Sequence, residues 1–297
     1  MNDNIFISVV IPIFNSENFL DKLLNSLSDQ TLLDNKFEVI LIDNNSNDNT
    51  KEIISNFISA HKIENYHYLF FNKRQSSYAA RNYGIKKSKG NILAFSDSDC
   101  ILDKDWLSSI YNCYNEDGKA EIISGSVEII IEDKQNMWEQ YDKIVHLDNE
   151  RYSKMNSAAT ANLSLRKKLF YDVGEFKEVV SGEDGEWTSR AIDKGYKLQY
   201  LQNIKVFHPS RKTFKEIKKK SNRIAFGKGQ KIKFNDDSFI KNLLMYFLRI
   251  FYISTNIKIS KKLYSKISFN KIILFNFYFL NLRLYQWLHF YKGYKES

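Results

Sequence analysis

Two aspartates, Asp97 and Asp99, stand one residue apart where the apolar run "ILAFS" (92–96) ends. On an extended chain residues i and i+2 point to the same side, so both carboxylates would face one point beyond a strand's carboxyl end. Left unpaired there, they repel one another and are partly protonated. A divalent cation removes the conflict, and Mg²⁺ or Mn²⁺ suits a few carboxylates together with phosphate oxygens. Taken alone, a D-x-D is more often a pair of solvated loop acids.

Other candidates are spread along the chain. Asp43 and Asn44 end the apolar run "FEVILID" and could accept from a base N–H or a ribose hydroxyl; turn and capping chemistry suits them equally well. Pro12 closes another apolar run, and Phe14 could stack on a base or serve the core. Arg81, within "SYAARNYGI", could reach phosphate oxygens or pair with an acid. Glu183 and Asp184 open a helical stretch, where acids suit the dipole, yet an ionised carboxylate over a sheet edge also serves as a general base. His208 ends "KVFHP", and Pro209 keeps it extended; it is either structural or a third metal ligand beside the aspartates.

The elements that must position these groups follow from periodicity. "ISVVIPIF" (7–14), "FEVILID" (37–43), "YHYLFF" (66–71) and "ILAFS" (92–96) are short apolar runs, as in strands buried on both faces. Between them lie helical spacings over 18–29, over 45–61 with Asn49 and Glu52 as a capping box, and over 77–87. This alternation predicts an α/β fold with a doubly wound, mostly parallel, Rossmann-like sheet, whose strand ends collect ligands. Beyond Asp103 the pattern loosens: one or two strands over 121–132, a helix over 137–148, a helix closed at Gly174, and a helix ending at Gly195 before a strand.

With 297 residues and 43% hydrophobic content, the chain can bury one large domain with an appendage. Cys100 and Cys113 are its only cysteines, which suggests neither a disulfide framework nor a zinc site and fits a reducing compartment. The apolar run near Met1 has no basic segment ahead of it and reads as a strand rather than a signal peptide. Residues 211–297 hold 20 Lys and Arg against 4 Asp and Glu, whereas residues 1–210 hold 24 against 31. A basic C-terminal part of this kind meets an anionic partner, whether membrane, nucleic acid or phosphate-bearing substrate.

Taken in order, "SVVIPIFNSENFL…SLSDQT", "VILIDNNSNDNT", "YAARNYGIKKSKGNILAFSDSDC", "ANLSLRKKLFYDVGEF", "GEDGEWTSRAIDKGYKLQYL" and "VFHPS" resemble glycosyltransferase family 2, inverting nucleotide-sugar enzymes of the GT-A fold. The likeness runs from residue 7 to about 210. It implies that Pro12, Phe14, Asn15 and Glu17 line the nucleotide pocket, that Asp43 and Asn44 contact the base, and that Arg81, Asp97 and Ser98 hold the nucleotide sugar. It further implies that Asp97, Asp99 and His208 bind Mn²⁺ or Mg²⁺, Asp99 directly and Asp97 shared with the ribose. Asp184 then takes the general-base position, with Glu183 supporting it or orienting the acceptor. Many members have Asp where Asn44 stands, which bears on the preferred nucleotide. No Q-x-x-R-W segment of the processive synthases follows Asp184, which favours addition of single sugars.

The expectation is thus a catalytic GT-A domain over 1–210 and a basic, aromatic-rich helical extension over 211–297. The donor would be a nucleoside-diphosphate sugar, a UDP-sugar first among them, and the acceptor a glycan or lipid-linked hydroxyl in cell-surface polysaccharide synthesis. Within the extension, "NLLMYFLRIFYI" (242–253) and "IILFNFYFLNLRLYQWLHFY" (272–291) are interrupted by Arg249 and Arg283. They favour helices lying in a membrane interface over spanning ones, set against a helical subdomain packed on the sheet. Location would be cytoplasmic, peripheral at the cytoplasmic membrane face. Two competing classes are a nucleic-acid-binding protein using the basic tail and a nucleotidyltransferase releasing pyrophosphate. Against the first, the aromatics fall in apolar blocks rather than among the basic residues, so no nucleic-acid partner is expected.

Overall fold

The structure is a computed structural model that describes residues 6–116, 119–234, 239–251, 263 and 269–296. Strands β1 (Ile7–Ile13) and β2 (Phe37–Asp43) are buried at every position, as suits mostly apolar strands covered on both faces, and the buried Ser8 hydroxyl donates to Glu38 Oε1 across them at 2.6 Å. They run parallel and in step, from Ile7 opposite Phe37 to Ile13 opposite Asp43. β3 (Tyr66–Phe70) adds outside β2 and β4 (Ile92–Phe95) on the other side of β1, both parallel.

Past β4 the sheet changes character. Its eight strands run in the order β3-β2-β1-β4-β7-β6-β8-β5, with β5 (Ile101–Leu102), β6 (Ile122–Ile130), β7 (Leu163–Arg166) and β8 (Leu198–Pro209). β7 pairs antiparallel to both β4 and β6, and β5 antiparallel to β8. The parallel half is the alternating region; the antiparallel half is built from the segments whose pattern was loose.

Helices α1 (Leu20–Ser28), α2 (Thr50–His61) and α3 (Ser77–Lys87) connect the parallel strands. α3 lies close on the sheet at Gly84, where a Cβ would stand 2.6 Å from Ile42 Cδ1 and 3.0 Å from Val10 Cγ1. The Asn49/Glu52 capping box does not form, since Asn49 makes no side-chain cap. The Asp48 carboxylate accepts the Thr50 N–H instead, at 3.1 Å. Two helices lie beyond those expected from spacing, α4 (Trp106–Glu116) and the short α6 (Asn149–Ser153). α5 (Met137–Val145), α7 (Lys167–Val173) and α8 (Glu183–Asp193) stand near where spacing put them. Gly174 (φ +96°) and Gly195 (φ +94°) take the left-handed conformations expected just past α7 and α8.

The chain divides into two compact units. The first comprises residues 1–128, 147–178 and 183–208 and contains most of the sheet. The second comprises 129–146, 179–182 and 209–297, and is helical, with α5, α9 (Phe214–Phe234), α10 (Phe239–Phe251) and α11 (Phe269–Lys295). Residues 252–253 of the first aromatic block lie outside the described residues. α9 and α11 pack along one another, and their backbones meet where Gly229 faces Phe290 and Gly293 faces Phe226. Trp138, Tyr141, Phe214, Phe275 and Phe279 fill the interior of this unit. Asp142, fully buried there, accepts from Arg211 Nη1 at 3.0 Å and pairs with His146 Nδ1 at 2.6 Å. Among the described residues, no helix is long and apolar enough to cross a membrane.

Candidate active site

The carboxyl ends of β1, β2 and β4 bring three loops to one edge of the first unit. β4 pairs with β1 only as far as Val10 opposite Phe95, so Pro12 lies past that ladder, where a missing N–H breaks nothing. After it, Phe14 is exposed and Asn15 turns the chain at φ +47°. The next residues are laced to the loop after β2. Asn15 N–H donates to Ser46 Oγ at 2.9 Å, Asn47 N–H to Asn15 Oδ1 at 2.9 Å, and Ser16 N–H to Thr50 Oγ1 at 3.0 Å. Glu17 Oε2 accepts from the Asn49 backbone and amide at 3.1 and 3.0 Å. Asp48 joins both loops, accepting Glu17 N–H at 3.1 Å as well as Thr50 N–H. Burial works to raise its carboxyl pKa, but the hydrogen bonds from Thr50 and Glu17 prevail and hold it below the usual range.

Asp43 is buried at the end of β2, its Oδ1 accepting Ser46 N–H at 2.8 Å and its Oδ2 accepting Tyr68 O–H at 2.7 Å. That hydrogen bond is the second cause, after burial, that pushes the Tyr68 phenol above its usual value. Asn44 is placed differently. Its Nδ2 donates to the carbonyls of Phe71 at 3.1 Å and Arg74 at 2.8 Å, and its Oδ1 accepts Ser76 N–H at 2.8 Å. Both amide hydrogens are engaged by the loop after β3, so Asn44 shapes that loop.

Beyond β4 the acid pair splits. Asp97 Oδ1 accepts from Arg81 Nη2 at 2.5 Å, and Asp99 Oδ2 lies 3.3 Å from His208 Nε2. Ser98, between them, bonds through its hydroxyl to Ser16 Oγ at 2.8 Å, joining the β1 and β4 loops. His208 is buried and arrives on β8, where Phe207 pairs with Ile101 just after the acids. Among the described residues, no group of three or more His, Cys, Asp or Glu side chains converges as a ligand set. The structure thus brings Asp99 to His208 and turns Asp97 to Arg81.

α3 organises the rest. Tyr78 and Arg81 sit three residues apart, on one helix face. The Tyr78 hydroxyl donates to Asp184 Oδ1 at 3.2 Å, and the Arg81 guanidinium lies over the Tyr78 ring, 5.6 Å from its centre. One turn of α3 therefore holds Asp97 and Asp184 together. Asp184, second residue of α8, also accepts Thr160 N–H at 3.3 Å and Gly185 N–H at 3.0 Å. Glu183 beside it is fully buried, accepting Lys177 N–H at 2.9 Å and Arg190 Nη2 at 3.2 Å. It fastens the loop before α8 rather than facing the edge. Asn82 makes a second clasp on that loop, donating to Phe176 O at 2.8 Å and accepting Phe176 N–H at 3.2 Å.

Sequence reasoning missed Tyr78, Ser16 and Thr160. Tyr78 had a signal, its i, i+3 spacing to Arg81. Ser16 and Thr160 had none, because their partners lie 82 and 24 residues away.

The family model "Glycosyl transferase family 2" matches residues 8–174, and "Glycosyl transferase family group 2" matches 92–291. Glycosyltransferase AglE of Haloferax volcanii is 39% identical over 227 residues, 76% of this chain and 73% of that protein. A dolichyl N-acetyl-alpha-D-glucosaminyl phosphate 3-beta-D-2,3-diacetamido-2,3-dideoxy-beta-D-glucuronosyltransferase of Methanococcus voltae is 26% identical, over 77% of this chain and 74% of that one. Among solved structures, mannosyltransferase PcManGT of Pyrobaculum calidifontis with GDP-Man and Mn²⁺ superposes with TM-score 0.65, 14% identity and coverage of 97% and 86%. S. aureus TarS 1–349 with UDP-GlcNAc superposes with TM-score 0.55 and 21% identity, covering 75% of this chain and 66% of that one. The chain spans only 39% of the longer TarS structure. At these identities the structural likenesses establish the GT-A-type fold.

Proposed function

This chain belongs to glycosyl transferase family 2, and on that premise we propose that it transfers a single sugar from a nucleoside-diphosphate sugar to an acceptor hydroxyl, with inversion. What carries the reading is the shared tether on α3, Arg81 to Asp97 at 2.5 Å and Tyr78 to Asp184 at 3.2 Å. A donor's leaving group and an acceptor's proton must be handled within one substrate's reach, and this tether keeps the two carboxylates near each other.

Asp184 is the general base. As the acceptor oxygen forms a bond to the anomeric carbon, its proton passes to the Asp184 carboxylate. The bond from that carbon to the diphosphate oxygen breaks on the opposite face, and its electron pair leaves with the nucleoside diphosphate. Asp43 orients the nucleoside with Phe14, Asn15 and Glu17, while Ser98 and Asp97 face the ribose and the first phosphate. Arg81 Nε is buried without a hydrogen-bond partner among the described residues, and a bound anion would account for such a donor. Glu183 acts at one remove, by fastening the loop before α8 through Lys177 N–H and Arg190.

Asp99 and His208 offer one carboxylate oxygen and one ring nitrogen 3.3 Å apart, with Asp99 partly exposed. This mixed pair suits Mn²⁺ better than Mg²⁺, which prefers oxygen alone; donor phosphates and water would complete the shell. When bound, such an ion supplies charge neutralisation for the departing diphosphate. A UDP-sugar is the proposed donor, in keeping with the UDP-GlcNAc complex of TarS; the GDP-Man complex of PcManGT makes GDP-sugars the competitor. A lipid-linked glycan at the cytoplasmic membrane face is the proposed acceptor, in keeping with the dolichyl phosphate in the Methanococcus enzyme's name.

The test is a thermal-shift panel of UDP, GDP and their sugar conjugates with and without Mn²⁺, since a ligand of the native state raises the melting point with its affinity. Asp99→Ala is expected to abolish metal-dependent nucleotide binding and sugar transfer, and Asp184→Asn to abolish transfer while keeping donor binding. Transfer undiminished in either variant rejects the assignment.

A further inference from the structure

The catalytic reading leaves a surface of the second unit unused. Along the 27 residues of α11, Ile273, Phe277, Leu280, Leu284 and Leu288 are exposed, Phe277 to 71%. Their spacing of three and four residues puts them on one face of the helix. It lies opposite the face that buries Phe275, Phe279, Leu282 and Phe290. α11 is therefore apolar on two sides, with protein on one of them. α10 repeats the pattern more briefly, exposing Ile240 (77%), Leu244 and Leu248. An apolar stripe of this length on a water-facing helix marks an interaction surface.

Charge identifies the partner. Residues 238–295 contain ten Lys and Arg and not one Asp or Glu. On α9, Lys215, Lys219 and Arg223 are exposed at successive four-residue steps, adding a cationic ridge to the same unit. A second copy of this chain would bring two such acid-free surfaces together and repel itself. An acidic lipid surface offers both an apolar layer for the stripe and negative headgroups for the cations. No described helix can cross the bilayer, so the contact lies in its plane.

We propose that the outward stripes of α10 and α11 insert into the headgroup–acyl boundary of an anionic membrane, with the α9 cations held at the headgroups. This deepens the membrane location proposed above and rests on that reading, but not on the identity of the donor.

The full chain is to be sedimented with phosphatidylcholine vesicles, with and without phosphatidylglycerol, at low and high salt. Nucleotide-sugar hydrolysis is assayed in the same samples without vesicles, so that loss of the catalytic reading registers separately. The wild type is expected to sediment with the anionic vesicles, and less so at high salt. Phe277→Ser with Leu284→Ser, and separately Leu280→Ser, are expected to weaken binding about tenfold or more while hydrolysis is kept, each exposed side chain losing its transfer into lipid. Lys215→Glu with Lys219→Glu and Arg223→Glu is expected to abolish the preference for phosphatidylglycerol. Wild-type protein left in the supernatant overturns the proposal, as do serine variants that sediment unchanged. A dimer that the serine substitutions dissociate, without vesicle binding by the wild type, overturns it too.

Discussion

Replacing Tyr78 by Phe tests whether α3 couples the two ends of the site. The substitution keeps the ring under the Arg81 guanidinium and removes only the hydroxyl that donates to Asp184 Oδ1 at 3.2 Å. A hydrogen bond to a charged group is worth about 1.5–3 kcal/mol net. At 3.2 Å this one is long for an O–H donor, so the lower figure applies. A loss of about 1.5 kcal/mol corresponds to roughly a tenfold fall in rate. Asp184 keeps its backbone donors Thr160 and Gly185, so the base is loosened rather than removed. The expected outcome is kcat for sugar transfer lowered about tenfold, with nucleotide affinity in the thermal-shift assay unchanged. Tyr78→Ala, which also takes the ring from Arg81, is expected to weaken nucleotide binding as well. Should Tyr78→Phe leave kcat intact, or reduce donor affinity alone, the coupling through α3 is refuted.

Two further predictions concern groups away from the chemistry. Asn44→Asp turns an amide that donates to the Phe71 and Arg74 carbonyls into a carboxylate facing them, and is expected to destabilise the fold by about 1–3 kcal/mol in urea unfolding; unchanged stability would show that the loop after β3 does not depend on those donors. In the second unit, burial and the charges of Lys220 and Arg211 push the His146 pKa down to about 4, against the pull of Asp142. The unfolded chain then binds the extra proton between about pH 6.5 and 4, so stability is full above that window and lost on acidification, by about 3 kcal/mol in all. Asp142, held below the usual carboxylate range, adds to the loss in stronger acid. His146→Gln is expected to flatten the melting-temperature profile over that window, and an unaltered slope would assign the acid sensitivity elsewhere.

What could be read without coordinates follows the range over which each signal acts. β1 and β2 declare themselves because seven consecutive buried positions leave no polar alternation. Gly174 and Gly195 mark helix ends because only glycine takes those angles freely. α4 is legible in the same way, since Trp106, Leu107, Ile110 and Tyr114 share a buried face at helical spacing. The antiparallel half was not, because β7 finds β4 across 74 residues, Ile92 opposite Arg166, with no local trace of the pairing. The site divides the same way. The D-x-D was visible as a motif, yet its carboxylates part company because Arg81 and His208 approach from different elements. The bonds of the Asn44 amide to the loop at 71–76 leave no trace in the sequence around it, since its partners lie 27 to 32 residues away.

The glycine crossing of α9 and α11 bears on how the second unit behaves over time. Where Gly229 and Gly293 let main chain touch main chain, neither rod can roll about its axis without collision, since any turn would drive Cβ-bearing neighbours into the opposing peptide. Leu284 and Phe277 cannot then be tucked inward in one circumstance and presented in another. Whatever docks there meets a greasy edge that is permanently on display, and the protein will demand the same precautions during purification whether or not substrate is present.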